Sequence, residues 1–153
     1  MTKSRYFEDF TLGDRFETVA MTVTEAEILG FALKYDPQYF HLDAARAADG
    51  PFGGLIASGF QTLSLSFSLF LRQGWVEEAN LGSPGLDATR WLRPLRPGDT
   101  IRVTATVTEL KPSVSKPDRG IVRMLHETWN QHQAVIMTVD CMHMLRRRPD
   151  SAG

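Results

Sequence analysis

The second half of the chain alternates. Ile101, Val103, Ala105 and Val107 are apolar and Arg102, Thr104, Thr106 and Thr108 polar, the two-residue period of a strand with one buried face. Residues 119–129 and 134–145 read as two further long strands, joined by Asn130-Gln131-His132-Gln133. Trp91 anchors an earlier strand, and Pro94 with Pro97-Gly98-Asp99 marks the turn after it. Upstream the period changes. Residues 14–22 read as a short strand with Phe16 and Val19 as anchors, and Thr24 followed by Glu27 forms a capping box, with Val23 and Ile28 at the staple positions. The helix this starts places Ile28, Phe31, Ala32 and Tyr35 on one face and ends at Tyr35. Pro37 ends it, because its ring cannot continue a helix and it pushes Asp36 out of the α region. Asp43 caps a short Ala-rich helix over residues 44–48, closed by Gly50-Pro51.

Residues 53–74 carry two patterns at once. Leu63 to Leu69 alternates with serines as a strand would, while Phe60, Leu63, Phe67, Phe70 and Leu71 fit helical spacing. A run of about 18 residues without a turn signal is long for a strand, which favours a helix covered on most sides by sheet. The order of elements, helices first and long antiparallel strands afterwards, predicts an α+β fold with a sheet packed on a helix.

With 153 residues, 42% hydrophobic and 23% charged, the chain matches one ordinary globular domain. No repeat or long linker divides it, so residues 1–148 are expected to form the domain and 149–153 a flexible tail. The single cysteine, Cys141, excludes an intrachain disulfide and suits a reducing cytoplasm. The first residues lack the apolar core of a signal peptide, and no stretch approaches a membrane span. Net charge is −1, so no global field draws nucleic acid, although residues 90–153 carry 11 basic and 6 acidic side chains.

Chemistry concentrates in two segments. Tyr35-Asp36-Pro37-Gln38-Tyr39-Phe40-His41 sets a carboxylate and an imidazole five residues apart across a loop between helices. A bent loop brings such groups to one water, where one takes a proton and the other orients the water or returns the proton. In Phe52-Gly53-Gly54-Leu55-Ile56-Ala57-Ser58-Gly59-Phe60, Ser58-Gly59 stands where the long helix would begin, and free N–H groups at that end can hold a developing oxyanion. His126, His132 and His143 are too scattered along the chain to suggest a metal site, and Cys141 reads as a packed thiol, so no metal is expected. Trp75, Trp91 and Trp129 read as anchors of packing or of an interface between protomers.

The two segments together, with the Trp91-Leu92-Arg93-Pro94-Leu95-Arg96-Pro97-Gly98-Asp99 turn, resemble the MaoC-like dehydratases, the (R)-specific enoyl-CoA hydratase (hydratase-2) family of the hotdog fold. The resemblance covers most of the chain. It implies a long helix wrapped by an antiparallel sheet, and so resolves the ambiguity within residues 53–74 in favour of a helix. By the same resemblance Asp36 and His41 match the catalytic dyad that adds water across, or removes it to form, the α,β double bond of an acyl thioester. Gly59 matches the glycine whose N–H polarises the thioester carbonyl, with Ser58 and Ser64 as candidate supporting residues. The reaction it implies needs no bound cofactor, since the thioester itself acidifies the α carbon.

The resemblance also implies a homodimer, as do the long edges a lone sheet would expose. Arg93, Arg96 and Arg119, together with Arg90 and Lys116, are candidates for the phosphates of coenzyme A. The sequence departs from the stricter pattern at Gln38-Tyr39, where Asn-Pro is usual, and at Ser58, where histidine is frequent. Those departures leave acyl preference open. A hotdog thioesterase and a non-catalytic acyl-CoA-binding subunit are the alternative functions.

Overall fold

A computed structural model describes residues 3–150 of the chain. After a 3-10 turn at Phe7–Asp9 come two short strands, β1 (Arg15–Glu17) and β2 (Met21–Thr22). Three helices follow, α1 (Glu25–Tyr35), α2 (Tyr39–Leu42) and α3 (Ala44–Ala48), and then the long helix α4 (Gly59–Leu71). Strands β3 (Leu86–Trp91), β4 (Thr100–Pro112), β5 (Arg119–Trp129) and β6 (Val135–Arg146) complete the chain. They form one antiparallel sheet in the order β1-β4-β5-β6-β3, with β2 also paired to β4. The expected α+β arrangement is present. Of the expected 149–153 tail, residues 151–153 lie outside the described residues.

The long strands form for the reason the alternation gave. Along β5 every second residue is buried, and Val122, Met124 and Leu145 of the β5–β6 pair join Phe70 in one core cluster. A second cluster gathers Ile101, Val103, Ile136, Met137 and Val139 around Leu69. Helix α4 thus contributes to both clusters and ties the sheet into one core. Its serines do not disqualify it as a helix. The hydroxyls of Thr62, Ser64 and Ser66 each donate back to the carbonyl four residues earlier, which satisfies them without leaving the helix. Ser66 also meets the Thr128 hydroxyl at 2.6 Å.

Several local expectations change. The single strand over residues 14–22 is broken into β1 and β2 around residues 18–20, and Val19 is 63% exposed instead of anchoring. The Thr18 hydroxyl explains the break: it accepts from the Val103 N–H and donates to the Val19 carbonyl, replacing ladder bonds. Tyr35 is exposed at the end of α1, where the helix leaves the core, while Ile28 and Ala32 are buried as expected. The loop between α1 and α3 holds a further helical turn, α2.

Candidate active site

Asp36 is placed by α1. Thr24 caps the first turn through the Glu27 N–H, and the Glu27 carboxylate accepts from the Thr24 N–H, so the reciprocal box fixes where the helix starts. Eleven residues later Asp36 caps the other end, its N–H bonded to the Ala32 carbonyl, with a non-helical backbone ahead of Pro37. His41 sits on α2, buried at 3% exposure. The segment feeding α4 passes beside it: the Ile56 N–H donates to the Phe40 carbonyl and the Ala57 N–H to the Leu95 carbonyl. Ser58 then caps α4 by accepting from the Phe60 N–H.

These placements bring three segments together. His41 Nε2 lies 3.3 Å from Asp36 Oδ2. The Ser58 hydroxyl donates to the same oxygen at 2.7 Å, and the Gln38 amide donates to Oδ1 at 2.7 Å. On the far side of the ring, Nδ1 is 2.7 Å from the Ile56 carbonyl. A carbonyl only accepts, so Nδ1 carries a proton, and Nε2 is the nitrogen left to exchange one at Asp36. Burial pushes the Asp36 carboxyl upward, but the Ser58 and Gln38 donors and the adjacent imidazole outweigh it and hold it below the usual carboxylate range. Asp36 is therefore an anion at neutral pH, aimed by two donors.

The pair opens on a cavity of about 450 Å³ whose lining includes Asp36, His41, Gly59, Thr62, Trp91 and Arg93. Gly59 is the first residue of α4, and its N–H has no acceptor among the described residues. Its carbonyl accepts from the Trp91 indole at 2.9 Å, and a Cβ here would stand 2.6 Å from that ring. Only glycine fits so close an approach.

Asp36, His41, Ser58 and Gly59 converge, then, while the other nominated residues divide. Ser64 faces away from this cavity, its hydroxyl spent on the Phe60 carbonyl; Thr62, one helical turn past Gly59, takes the place on the lining. Arg93 reaches the cavity. Arg96 instead donates to the Phe52 carbonyl and stands against Gly54, holding the turn in which Gly53 has φ +66°. Arg119 chelates Asp118, and its backbone pairs with Arg146 while Trp91 pairs with Met137. Those positions are nine residues apart on β6, about 30 Å along a strand, so Arg119 is remote from this cavity. Gln38, Thr62 and Trp91 were not nominated as site residues; for Thr62 and Trp91 the helical period from Gly59 and the strand ahead of Pro94 were the available signals.

Two of the three histidines that are scattered along the chain meet in the fold, while His132 stays at an exposed turn. The β5–β6 hairpin sets His126 opposite Val139 and His143 opposite Val122, on one face with Cys141. Their ligating atoms lie within 4.8 Å of one another, and all three residues are buried.

Residues 9–130 match the family model described as "MaoC like domain". A crystal structure of the MaoC-like dehydratase from Rhodospirillum rubrum is 36% identical and superposes with a TM-score of 0.87, covering 95% of this chain and 99% of that one. The Bacillus subtilis protein YdeM is 30% identical over 92% of this chain and 98% of its own length. The 3-hydroxyacyl-thioester dehydratase Z of Mycobacterium tuberculosis is 37% identical over 57% of this chain and 59% of its own length, so this chain spans little more than half of that relative. The fold is the hotdog fold.

Proposed function

Because this chain belongs to the MaoC-like domain family, we propose that it is a hydro-lyase acting on acyl thioesters, with Asp36 and His41 as its acid–base pair and the Gly59 N–H as its oxyanion donor. The reading rests on one observation: the paired carboxylate and imidazole and an unclaimed N–H at a helix N-terminus line the same cavity. In the hydration direction a water held between Asp36 and His41 Nε2 gives up a proton to the pair as its oxygen attacks the β carbon. Charge moves onto the thioester oxygen, where the Gly59 N–H and the positive end of α4 receive it. The pair then delivers a proton to the α carbon, and a 3-hydroxyacyl thioester results. Dehydration is the same path reversed. Every atom comes from water and thioester, so the chemistry calls for no cofactor.

Arg93 lines the cavity, which supports it as the arginine that would meet a phosphate of coenzyme A. Two copies pair through the exposed edge of β3, and a reducing cytoplasm suits the free Cys141. Among the described residues no helix is long and apolar enough to cross a membrane.

The test is a panel of enoyl-CoA substrates followed by loss of the conjugated-enone absorbance, with Asp36→Asn as control. Reversible loss without thiol release, abolished in the variant, is expected. Release of free coenzyme A from saturated acyl-CoA would make the protein a thioesterase, and binding without turnover would make it an acyl-CoA-binding subunit.

A further inference from the structure

The proposed reaction makes no use of the buried trio on the β5–β6 hairpin. His126 Nε2 and His143 Nε2 face each other at 3.2 Å, with their rings inclined at 24° and Phe70 against both. Among the described residues, each ring's only hydrogen-bond partner is the other ring. Cys141 stands two residues before His143 on the same face of β6, and one ligating atom from each of the three residues lies within 4.8 Å of the others. His126 and Cys141 also line a cavity of about 330 Å³, together with Leu63, Ser66, Phe67 and Leu86, so two of the trio border space beside the packed core.

We propose that His126, Cys141 and His143 bind a divalent cation of the zinc class, with the fourth coordination position open to that cavity. Two features support this. A metal about 2.05 Å from each nitrogen would see the 3.2 Å separation under an angle of roughly 100°, close to tetrahedral. Two imidazoles and a thiolate with one open position are a donor set that zinc accepts.

Cys141 enters the site as a free, buried thiol. Binding therefore forms the sulfur–metal bond and breaks the S–H bond, and the proton leaves to solvent. Zinc–ligand geometry sets the sulfur about 3.5 Å from each nitrogen, a closure of at most about 1.3 Å from the 4.8 Å bound. The cation would clip the middle of β5 to β6 through residues that do not line the Asp36–His41 cavity, and its presence does not depend on the hydro-lyase reading.

The experiment uses the full chain, stripped with a chelator and titrated with cobalt(II), then with zinc in competition. One cobalt per chain with a thiolate-to-metal band in the near ultraviolet, displaced by zinc, is expected. X-ray absorption of the zinc form is expected to show two nitrogen ligands and one sulfur. Cys141→Ser, nearly isosteric, is expected to lose the band and bind zinc at least about 100-fold more weakly, whereas His132→Ala, at an exposed turn, is expected to change nothing. Wild-type protein without the band, or binding that survives Cys141→Ser, would overturn the site and leave a simple hydrogen-bonded histidine pair. Should Cys141→Ser fail to fold, the absorption spectrum and the zinc-dependent rise in Tm of the wild type decide alone.

Discussion

The Trp91 indole and the Gly59 backbone hold one another in place: Nε1 donates to the Gly59 carbonyl, and the ring fills the space a Cβ would occupy. The wall of the cavity and the start of α4 are thereby a single unit. The carbonyl is taken up by Trp91, and the N–H is left free.

Gly59→Ala is expected to drive the indole off this seat. Overpacking of this kind costs about 1–3 kcal/mol, measurable by urea unfolding, and turnover should fall with it. Trp91→Ala in the same chain should recover much of the stability. Unchanged stability in the single variant would mean the ring moves aside without cost.

Removing either member of the proposed acid–base pair should be felt in kcat. Asp36→Asn and His41→Gln are each expected to lower turnover about a hundred- to ten-thousand-fold, with circular dichroism unchanged. A variant as fast as wild type would remove that residue from the reaction.

Ser58→Ala deletes one of the two donors that hold Asp36 anionic. With that donor gone the carboxyl midpoint, followed by carbon NMR, should rise toward the ordinary carboxylate range. The sign for stability follows. Since the folded carboxyl titrates below the unfolded one, its contribution is present above about pH 4 and is lost as pH falls through the folded midpoint. The variant should lose part of that contribution.

Much of this was legible in the sequence, for identifiable reasons. The capping box at Thr24 and Glu27, the stop at Pro37 and the alternation in β4 to β6 are local signals, and each element formed where they put it. Helix α4 was not decided by pattern, because serines that bond backward along a helix leave the same trace as an alternating strand. The nearness of Asp36 to His41 was readable from their spacing in the loop. The remoteness of Arg119, the engagement of Arg96 with the Phe52 carbonyl and the His126–Cys141–His143 cluster depend on strand register and loop closure, which composition does not carry.

Thr24→Ala removes one half of the capping box and is expected to cost about 1 kcal/mol. For a domain of this size that lowers Tm by about 2–4 °C. Because the same box sets the start of the helix that carries Asp36, a small loss of kcat should accompany it, whereas an exposed Leu33→Ala change within α1 should spare both.

Sedimentation is expected to give the mass of two chains at micromolar concentration, with the β3 edge covered. Leu86, Trp91 and Leu92 are large apolar groups left exposed on or beside that strand. A charge introduced at Leu86 should return the mass to one chain. A single-chain mass for the unaltered protein at every concentration would exclude the pairing.

Helix α1 acts as a ruler. Val23, just ahead of it, is bonded to Gly98 and Asp99 at the mouth of β4, and its last carboxylate is gripped from the first turn of α4. Each residue turns a helix by about 100°, so inserting one would swing the acid away from both the Ser58 hydroxyl and the imidazole while leaving the sheet intact. Loops of this chain can lengthen in descendants; this span of eleven residues cannot, and a deletion or insertion there should yield a folded protein with an idle cavity.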